Sequence, residues 1–600
     1  MEAGPLTVKQ LFQKDVRYLV PTFQRPYVWN QDDQWEPLWE DVRNTAETYM
    51  ERLAEFDGAA AKAAQATGTH FLGAVVFQQK MTAVTALEVR EVIDGQQRMT
   101  TIQLLLDACQ EVFESLGLEA SAQRMLRLVE NGYVSGDDVF KLWPTSLDRD
   151  AFRAAMTNGE VTDPWAASPI VKAHEFFQLQ IAEWLEAVLD DEERQARADA
   201  LETTVLGLLE MVVIGLELDD DAFAIFETLN ARGTPLLASD LVKNYVMQTE
   251  TAQGGDADEL HASVWSTLES SWWRTETRQG RVVRPRVDQF LNYWLTMRTL
   301  SDVPTHDVFR SFREYVETGP SSIREVAADV VASSDAYVAL QAAKEPPALE
   351  RFLYRWRVME AGTTTPLLLW LLSQDLPAEE LERTLAVLES FLVRRMVGRA
   401  TTKDYNRLLL DVTEWLASRP AGTPVDVELA GFLAAQTADS RSWPTDEEFT
   451  VALVEYPLYR LLTRARLRFL LEAFEDDRRT QFADDQRCPR GLTIEHVMPR
   501  GWRAHWPPPF GADPEAAAVA RDRIVHTIGN LTLVNDKLNP KLSNGPWADK
   551  IQALKAHSTL FLNKELVDRY GALSFSEATI AERGAELAAR AVRLWPRLNL

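Results

Sequence analysis

The sequence predicts a mainly helical α+β chain in three parts: an α/β region over residues 1–250, a helical region over 251–440, and a region over 441–600 that returns to short strands. Three observations carry this. Strand-like runs alternate with 3.6-residue apolar periods in the first part, the helical period runs nearly unbroken from about 250 to 480, and a β-like texture reappears after 485. At roughly 150 residues per domain, a chain of 600 residues calls for three or four units.

In order along the chain, VRYLV reads as a short strand, and a Pro-bounded loop carrying Gln24 and Arg25 leads into a helix with Trp35, Leu38, Trp39 and Val42 on one face. An Ala-rich helical stretch lies near 51–67. HFLGAVVFQQK and LEVREVID read as strands, because β-branched and aromatic residues dominate them. The second ends at Asp94-Gly95, where a long helical period begins. MVVIGLELDDDAFAIFETLNARG repeats the order of strand then helix, after a mainly helical insertion at 120–205. In the middle, Trp265, Trp272, Trp273, Trp294, Trp356, Trp370 and Trp415 are expected to fill bundle cores. A boundary is expected near 440–485, before TIEHV, TIGNLTLV and the helix GPWADKIQALKAH.

The net charge of −27 excludes a protein that coats nucleic acid indiscriminately, since phosphate neutralisation needs clustered cations. Between Gln486 and Leu560, however, about ten Lys and Arg stand against about six Asp and Glu, so a basic surface is expected there. The two cysteines, Cys109 and Cys488, lack partners at zinc-ligand spacing and are expected to pack. The start lacks a secretion signal and TTPLLLWLLSQ is too short to cross a bilayer, so a soluble, cytoplasmic protein without a membrane partner is expected.

Glu495 and His496 are adjacent, so a strand end can turn a carboxylate towards a metal and an imidazole, titrating near neutrality, towards water. Ile528 to Val534 reads as a second strand, with Asn539 nine residues beyond Asn530. IEHVMP, IGNLTLV and NDKLNPKLSN in this order resemble the ββα-metal (HNH) nuclease signature, with Asn replacing the last His. That resemblance implies His496 as general base, Asn530 fixing its tautomer, and Glu495 with Asn539 holding Mg²⁺ or Mn²⁺, as oxygen ligands favour. His505 and His526 are weaker candidates. Lys541 and Lys550 are read either as DNA-backbone contacts or as solvated helix charge.

At Asp94, Gly95, Gln96, Gln97, Arg98 and Thr100, a Gly between strand and helix can open backbone N–H groups to a phosphate, with Arg98 as a fork; an ordinary turn with a capped helix is the alternative. No Walker loop occurs. FQRPYVW, DGQQR, FETLNARG with the DLVKN block, and FLVRRMVGRATTKDYNRLL together resemble the ParB/sulfiredoxin-like domain of GmrSD-type, modification-dependent (type IV) restriction endonucleases, some relatives of which sense phosphorothioate DNA. The resemblance implies that Asp94, Gly95, Gln96, Gln97, Arg98, Thr100, Gln24 and Arg25 bind GTP or ATP, with Glu227, Asn230, Arg232 and Lys243 in second rank. It also implies NTPase activity, modified, phage-like double-stranded DNA as substrate, and a role in antiviral defence. Pro26, Tyr27 and Trp29 offer a stacking surface for the modified group, with core packing as the alternative. A ParB-like, nucleotide-dependent DNA-binding regulator with a non-cleaving HNH half remains the second reading, nicking without modification sensing the third, and a homo-oligomer is left open.

Overall fold

The computed structural model describes residues 2–21, 24–83, 86–145, 147–157, 165–188, 190–217, 237–279, 282–319, 321–342, 347–420, 422–481, 487–506, 513–538, 542 and 544–598. The architecture is mainly helical α+β with a small mixed sheet, and the chain divides into two compact units, Met1–Ser266 and Thr267–Leu600. The expected 251–440 and 441–600 regions share the second unit from Thr267 onward.

In the first unit, β1 (Glu2–Thr7), β2 (Val16–Leu19), β3 (His70–Gln79), β4 (Glu88–Asp94), β5 (Leu142–Trp143) and β6 (Leu209–Leu216) form one sheet in the order β1-β6-β3-β4-β2-β5. β1 runs antiparallel to β6 and β3 to β4, while β6/β3, β4/β2 and β2/β5 are parallel. Between these strands lie α1 (Val8–Phe12), α2 (Glu36–Glu55), α3 (Ala60–Thr67), α4 (Gln96–Ser115), α5 (Glu119–Val129), α6 (Arg149–Met156), α7 (Pro169–Glu186) and α8 (Asp191–Thr203). The helix α4 springs directly from β4 through Gly95 and packs against α5 and α7. Its apolar residues recur on every face, and Met99, Ile102, Leu104, Leu105, Leu106 and Phe113 all sit in the core. A helix wrapped this way holds its first turn rigidly at the carboxyl end of β4, an interior strand of the sheet.

The second unit begins with the short helix Ser271–Arg274 and the hairpin of β7 (Glu276–Gln279) and β8 (Val282–Pro285), followed by helices that include Arg286–Thr299, Ala378–Val397, Tyr405–Ala417 and Arg464–Gln481. The strands β9 (Thr493–His496) and β10 (Leu531–Val534) then pair antiparallel, and helices Trp547–His557, Phe561–Tyr570 and Glu577–Leu594 follow. The last of these is tied back to the helical part: Trp595 donates its indole N–H to Glu389, and Arg394 donates to the Trp595 carbonyl at 2.8 Å. A single core therefore runs through segments far apart in sequence.

Trp265, Trp273, Trp294, Trp356 and Trp370 are buried as expected, but Trp415 is 48% exposed, lying beside Phe432 with its N–H on Glu428. A helical period alone does not separate a core face from a surface aromatic pair. Cys109 and Cys488 are both buried. Among the described residues no helix is long and apolar enough to cross a membrane.

Candidate functional site

The pairing of β9 with β10 places Leu531 opposite His496 and Thr532 opposite Glu495. Asn530, immediately before β10, ties the turn that follows β9 to the segment leading into β10. Its amide donates to the carbonyls of Met498 and Val525, both at 2.8 Å, and accepts from the Met498 N–H at 2.7 Å. Asn530 is fully buried, so three bonds to main chain fix the backbone just beyond His496. The expected bond from Asn530 to the imidazole is absent, because the whole amide is committed to backbone groups. The neighbouring Gly529 admits the final helix: a Cβ there would meet the Ile580 carbonyl oxygen at 2.0 Å, and Arg583 donates to the Gly529 and Leu531 carbonyls.

What lies against the His496 ring is His526, with His496 Nε2 and His526 Nδ1 3.3 Å apart, and Tyr459, whose ring meets that of His496 edge-on at 4.2 Å between centroids. The Tyr459 N–H donates to the His526 carbonyl, which brings the residue after a Pro457 turn into the site. Burial, helped by His526, Arg500, Lys550 and Arg464, pushes the His496 imidazole down to about 3. Burial together with Arg460, Arg500 and Arg464 pushes His526 down to about 4. Both rings are neutral at pH 7. His526, ranked low on sequence, is thus in direct polar contact with the His496 ring, whereas His505 is exposed.

Lys550 stands differently from its expectation as a DNA contact or solvated charge. It is 2% exposed and its ammonium donates to Glu495 Oε1 and to the His496 carbonyl, each at 2.7 Å. Burial lowers the lysine's proton affinity and raises that of Glu495, and the two charges then oppose those shifts in each other. The exposed cations near the site are instead Arg460, Arg464 and Arg500, the first two on helical segments upstream of β9. Arg464 also lies over the Tyr459 ring, 3.4 Å from its centroid. Asn539 and Lys541 lie outside the described residues.

In the first unit, Gly95 adopts φ +90°, and a Cβ there would meet Val75 Cγ1 at 2.6 Å, so glycine is required for the passage from β4 into α4. The α4 N-terminus has no side-chain cap. Gln24 donates to the Val92 and Ile93 carbonyls, Gln96 to the Arg25 carbonyl, and Gln97 both donates to the Pro26 carbonyl and accepts from the Val28 N–H. The glutamine side chains thus stitch the 24–28 loop onto β4 and α4. Arg98 donates to the Ala74 carbonyl at 2.5 Å and packs across Gly73. Burial raises the Asp94 carboxyl, against the pull of the Gly95 N–H, Arg98 and Arg25. Asp94, Gly95, Gln96 and Arg98 remain partly exposed and Arg25 exposed, while Gln97 and Thr100 are buried.

Tyr27 is 4% exposed, and its hydroxyl lies 2.7 Å from Thr101 Oγ1 and accepts from the Trp35 indole at 3.0 Å. It packs and offers no stacking surface. Trp29 is half-buried against the same core. Of the second-rank residues, Lys243 is buried, and Glu227, Asn230 and Arg232 lie outside the described residues.

The chain thus pairs a sheet-based unit that carries a glycine-opened helix with a second unit in which an acid–imidazole pair sits on a two-stranded ribbon with exposed arginines nearby. Residues 8–247 match the family described as GmrSD restriction endonuclease, N-terminal domain, and residues 443–590 match GmrSD restriction endonucleases, C-terminal domain. The chain belongs to the GmrSD restriction endonucleases, whose substrate is DNA. No curated protein matches it.

Proposed function

We propose that this restriction endonuclease is a nucleotide-regulated, metal-dependent HNH enzyme that cuts modified DNA. The observation that carries the reading is the β9/β10 ribbon, which sets a neutral imidazole at 496 beside the Glu495 carboxylate, with the backbone beyond it locked by Asn530. In this reading a phosphodiester sits against the rim of Arg460, Arg464 and Arg500, which replaces the expected Lys550 contact. His496 takes a proton from water as its oxygen attacks phosphorus, and the arginines hold the charge that gathers on the phosphoryl oxygens. Glu495 and Asn539 would hold Mg²⁺ or Mn²⁺, which supplies Lewis acidity and stabilises the leaving oxygen. The fit of Glu495 rests on its second carboxylate oxygen, since Oε1 is engaged by Lys550.

GTP or ATP would bind at the uncapped start of α4, where main-chain N–H groups and the helix dipole favour phosphate, with Arg25 and Arg98 nearby. The cytoplasm is the expected compartment. Differently modified phage DNAs incubated with Mg²⁺ or Mn²⁺, with and without each nucleotide, test the reading. Modified DNA should be cut, His496→Ala should abolish cutting while nucleotide turnover persists, and Arg98→Ala should impair nucleotide use first. DNA that is shifted in gels yet never nicked would overturn the nuclease mechanism in favour of a DNA-binding regulator.

A further inference from the structure

Away from both sites, three side chains that commonly ligate metals converge between α4 and α7. Asp107, Glu111 and His174 present ligand atoms that all lie within 4.8 Å of one another. Asp107 and Glu111 are one turn apart on the same face of α4, and His174 Nε2 lies 2.9 Å from Asp107 Oδ2. Asp107 is 3% and His174 4% exposed, so these groups are held in the interior.

The charge there is unbalanced. Glu130, just after α5, is close enough to interact electrostatically with Asp107, so the carboxylates of Asp107, Glu111 and Glu130 gather there. Among the described residues, no lysine or arginine forms an ion pair with any of the three. Burying uncompensated carboxylates is costly unless a cation or a proton neutralises them. A second, independent observation lies one turn earlier on the same face: Gln103 is fully buried, its amide N–H₂ donates to the Leu128 carbonyl, and its Oε1 has no hydrogen-bond partner. An oxygen left unpaired in the interior is an acceptor waiting for a donor or a cation.

We infer that Asp107, Glu111 and His174 bind a first-row divalent cation of the zinc class. One imidazole and two carboxylates suit Zn²⁺ or Mn²⁺. Tetrahedral metal bonds of roughly 2.0–2.2 Å place ligand atoms about 3.3–3.6 Å apart, so the half-buried Glu111, which now accepts from the Gln178 amide, would close inwards on the ion. Bound there, the cation ties α7 to the helix whose first turn carries Gln96 to Thr101. The site is independent of the proposed nuclease centre and of its metal.

The test is metal content of the full chain, stripped with chelator and re-equilibrated with micromolar free Zn²⁺, together with the visible spectrum of the Co²⁺ form. Wild type and Glu495→Gln should both retain this equivalent with the same Co²⁺ spectrum. His174→Gln, whose amide can still donate to Asp107, should lose one equivalent and the spectrum, and Glu111→Gln should bind at least tenfold more weakly. Folding is checked by circular dichroism, and Zn²⁺ should raise the melting temperature of wild type but not of His174→Gln. Equal metal content and spectra in wild type, His174→Gln and Glu111→Gln, or no zinc retained by wild type, would overturn the proposal.

Discussion

Acid should selectively loosen the second unit, through two histidines rather than through its many carboxylates. His496 and His526 titrate at about 3 and about 4 in the folded protein against 6.5 when unfolded. Because the folded values are depressed, the unfolded chain binds protons first as pH falls. The stability these neutral rings retain is therefore fully present above pH 6.5 and is lost progressively between pH 6.5 and about 3. At pH 5 each ring costs about 2 kcal/mol, or roughly 4 kcal/mol together. Mutual repulsion of the pair does not inflate that sum, because at pH 5 both rings are still neutral in the native state and the loss arises from protonation of the unfolded chain. Glu495 and Glu472, whose carboxyls are raised by burial, oppose the trend, but they cancel when wild type is compared with a His496→Asn/His526→Asn double variant. Denaturant unfolding of the transition assigned to the second unit, at pH 7 and pH 5, should show wild type losing about 4 kcal/mol more than the double variant. His505 and His557 are exposed and common to both proteins. A pH dependence equal within 1 kcal/mol would mean that the native rings titrate freely, and the buried neutral pair would be refuted.

Three single contacts give further expected outcomes. Lys550→Met leaves Glu495 buried without its ammonium and should destabilise the second unit by about 3 kcal/mol, with Glu495→Gln in the same chain restoring at least half, as read by a double-mutant cycle in urea. Gly95→Ala forces a left-handed backbone on an L-residue and drives its Cβ into Val75, so thermal melting should show a loss of about 2–4 kcal/mol in the first unit; a change under 0.5 kcal/mol would contradict the turn. Arg500→Ala should weaken DNA binding irrespective of sequence and lower the salt-dependence slope by about 1, measured by fluorescence anisotropy across salt concentrations, whereas an unchanged slope would remove Arg500 from the phosphate rim.

The elements that the sequence reveals are those whose local chemistry agrees with their tertiary role. β2, β3, β4 and β6 carry β-branched runs, and the turn at Gly95 is written in a single residue. β1 escapes the reading because EAGPLT contains both Gly and Pro, and pairing with β6 forms the strand regardless. β5 is two residues long, too short for any period. At the candidate nuclease site, Glu495 and His496 stand side by side in sequence, but Tyr459, Arg460 and Arg464 come from helical segments some thirty residues upstream and reach it only through tertiary packing. The roles of Asn530 and Lys550 are misread for a related reason: sequence indicates that an amide and an amine are near, but not that backbone carbonyls and a buried carboxylate already occupy them. The glutamines of DGQQR show the same limit, since residue type suggests a ligand contact while the geometry spends Gln96 and Gln97 on the 24–28 loop.

An imidazole that holds a proton only below about pH 3 is a feeble base, and this bears on how the proposed reaction would proceed. After burial, the causes of that low value are positive neighbours: His526 when protonated, Arg500, Lys550 and Arg464. Lys550 is already balanced by Glu495, whereas Arg464 and Arg500 face solvent at an exposed rim. A phosphate diester seated among those arginines cancels the field that disfavours imidazolium and adds a negative charge that favours it. On the proposed mechanism His496 would gain basicity when the DNA backbone is in place. The arginine rim would then both receive the substrate and make part of the base's strength depend on its arrival, while burial, the largest cause of the low value, keeps the ring neutral in the DNA-free protein.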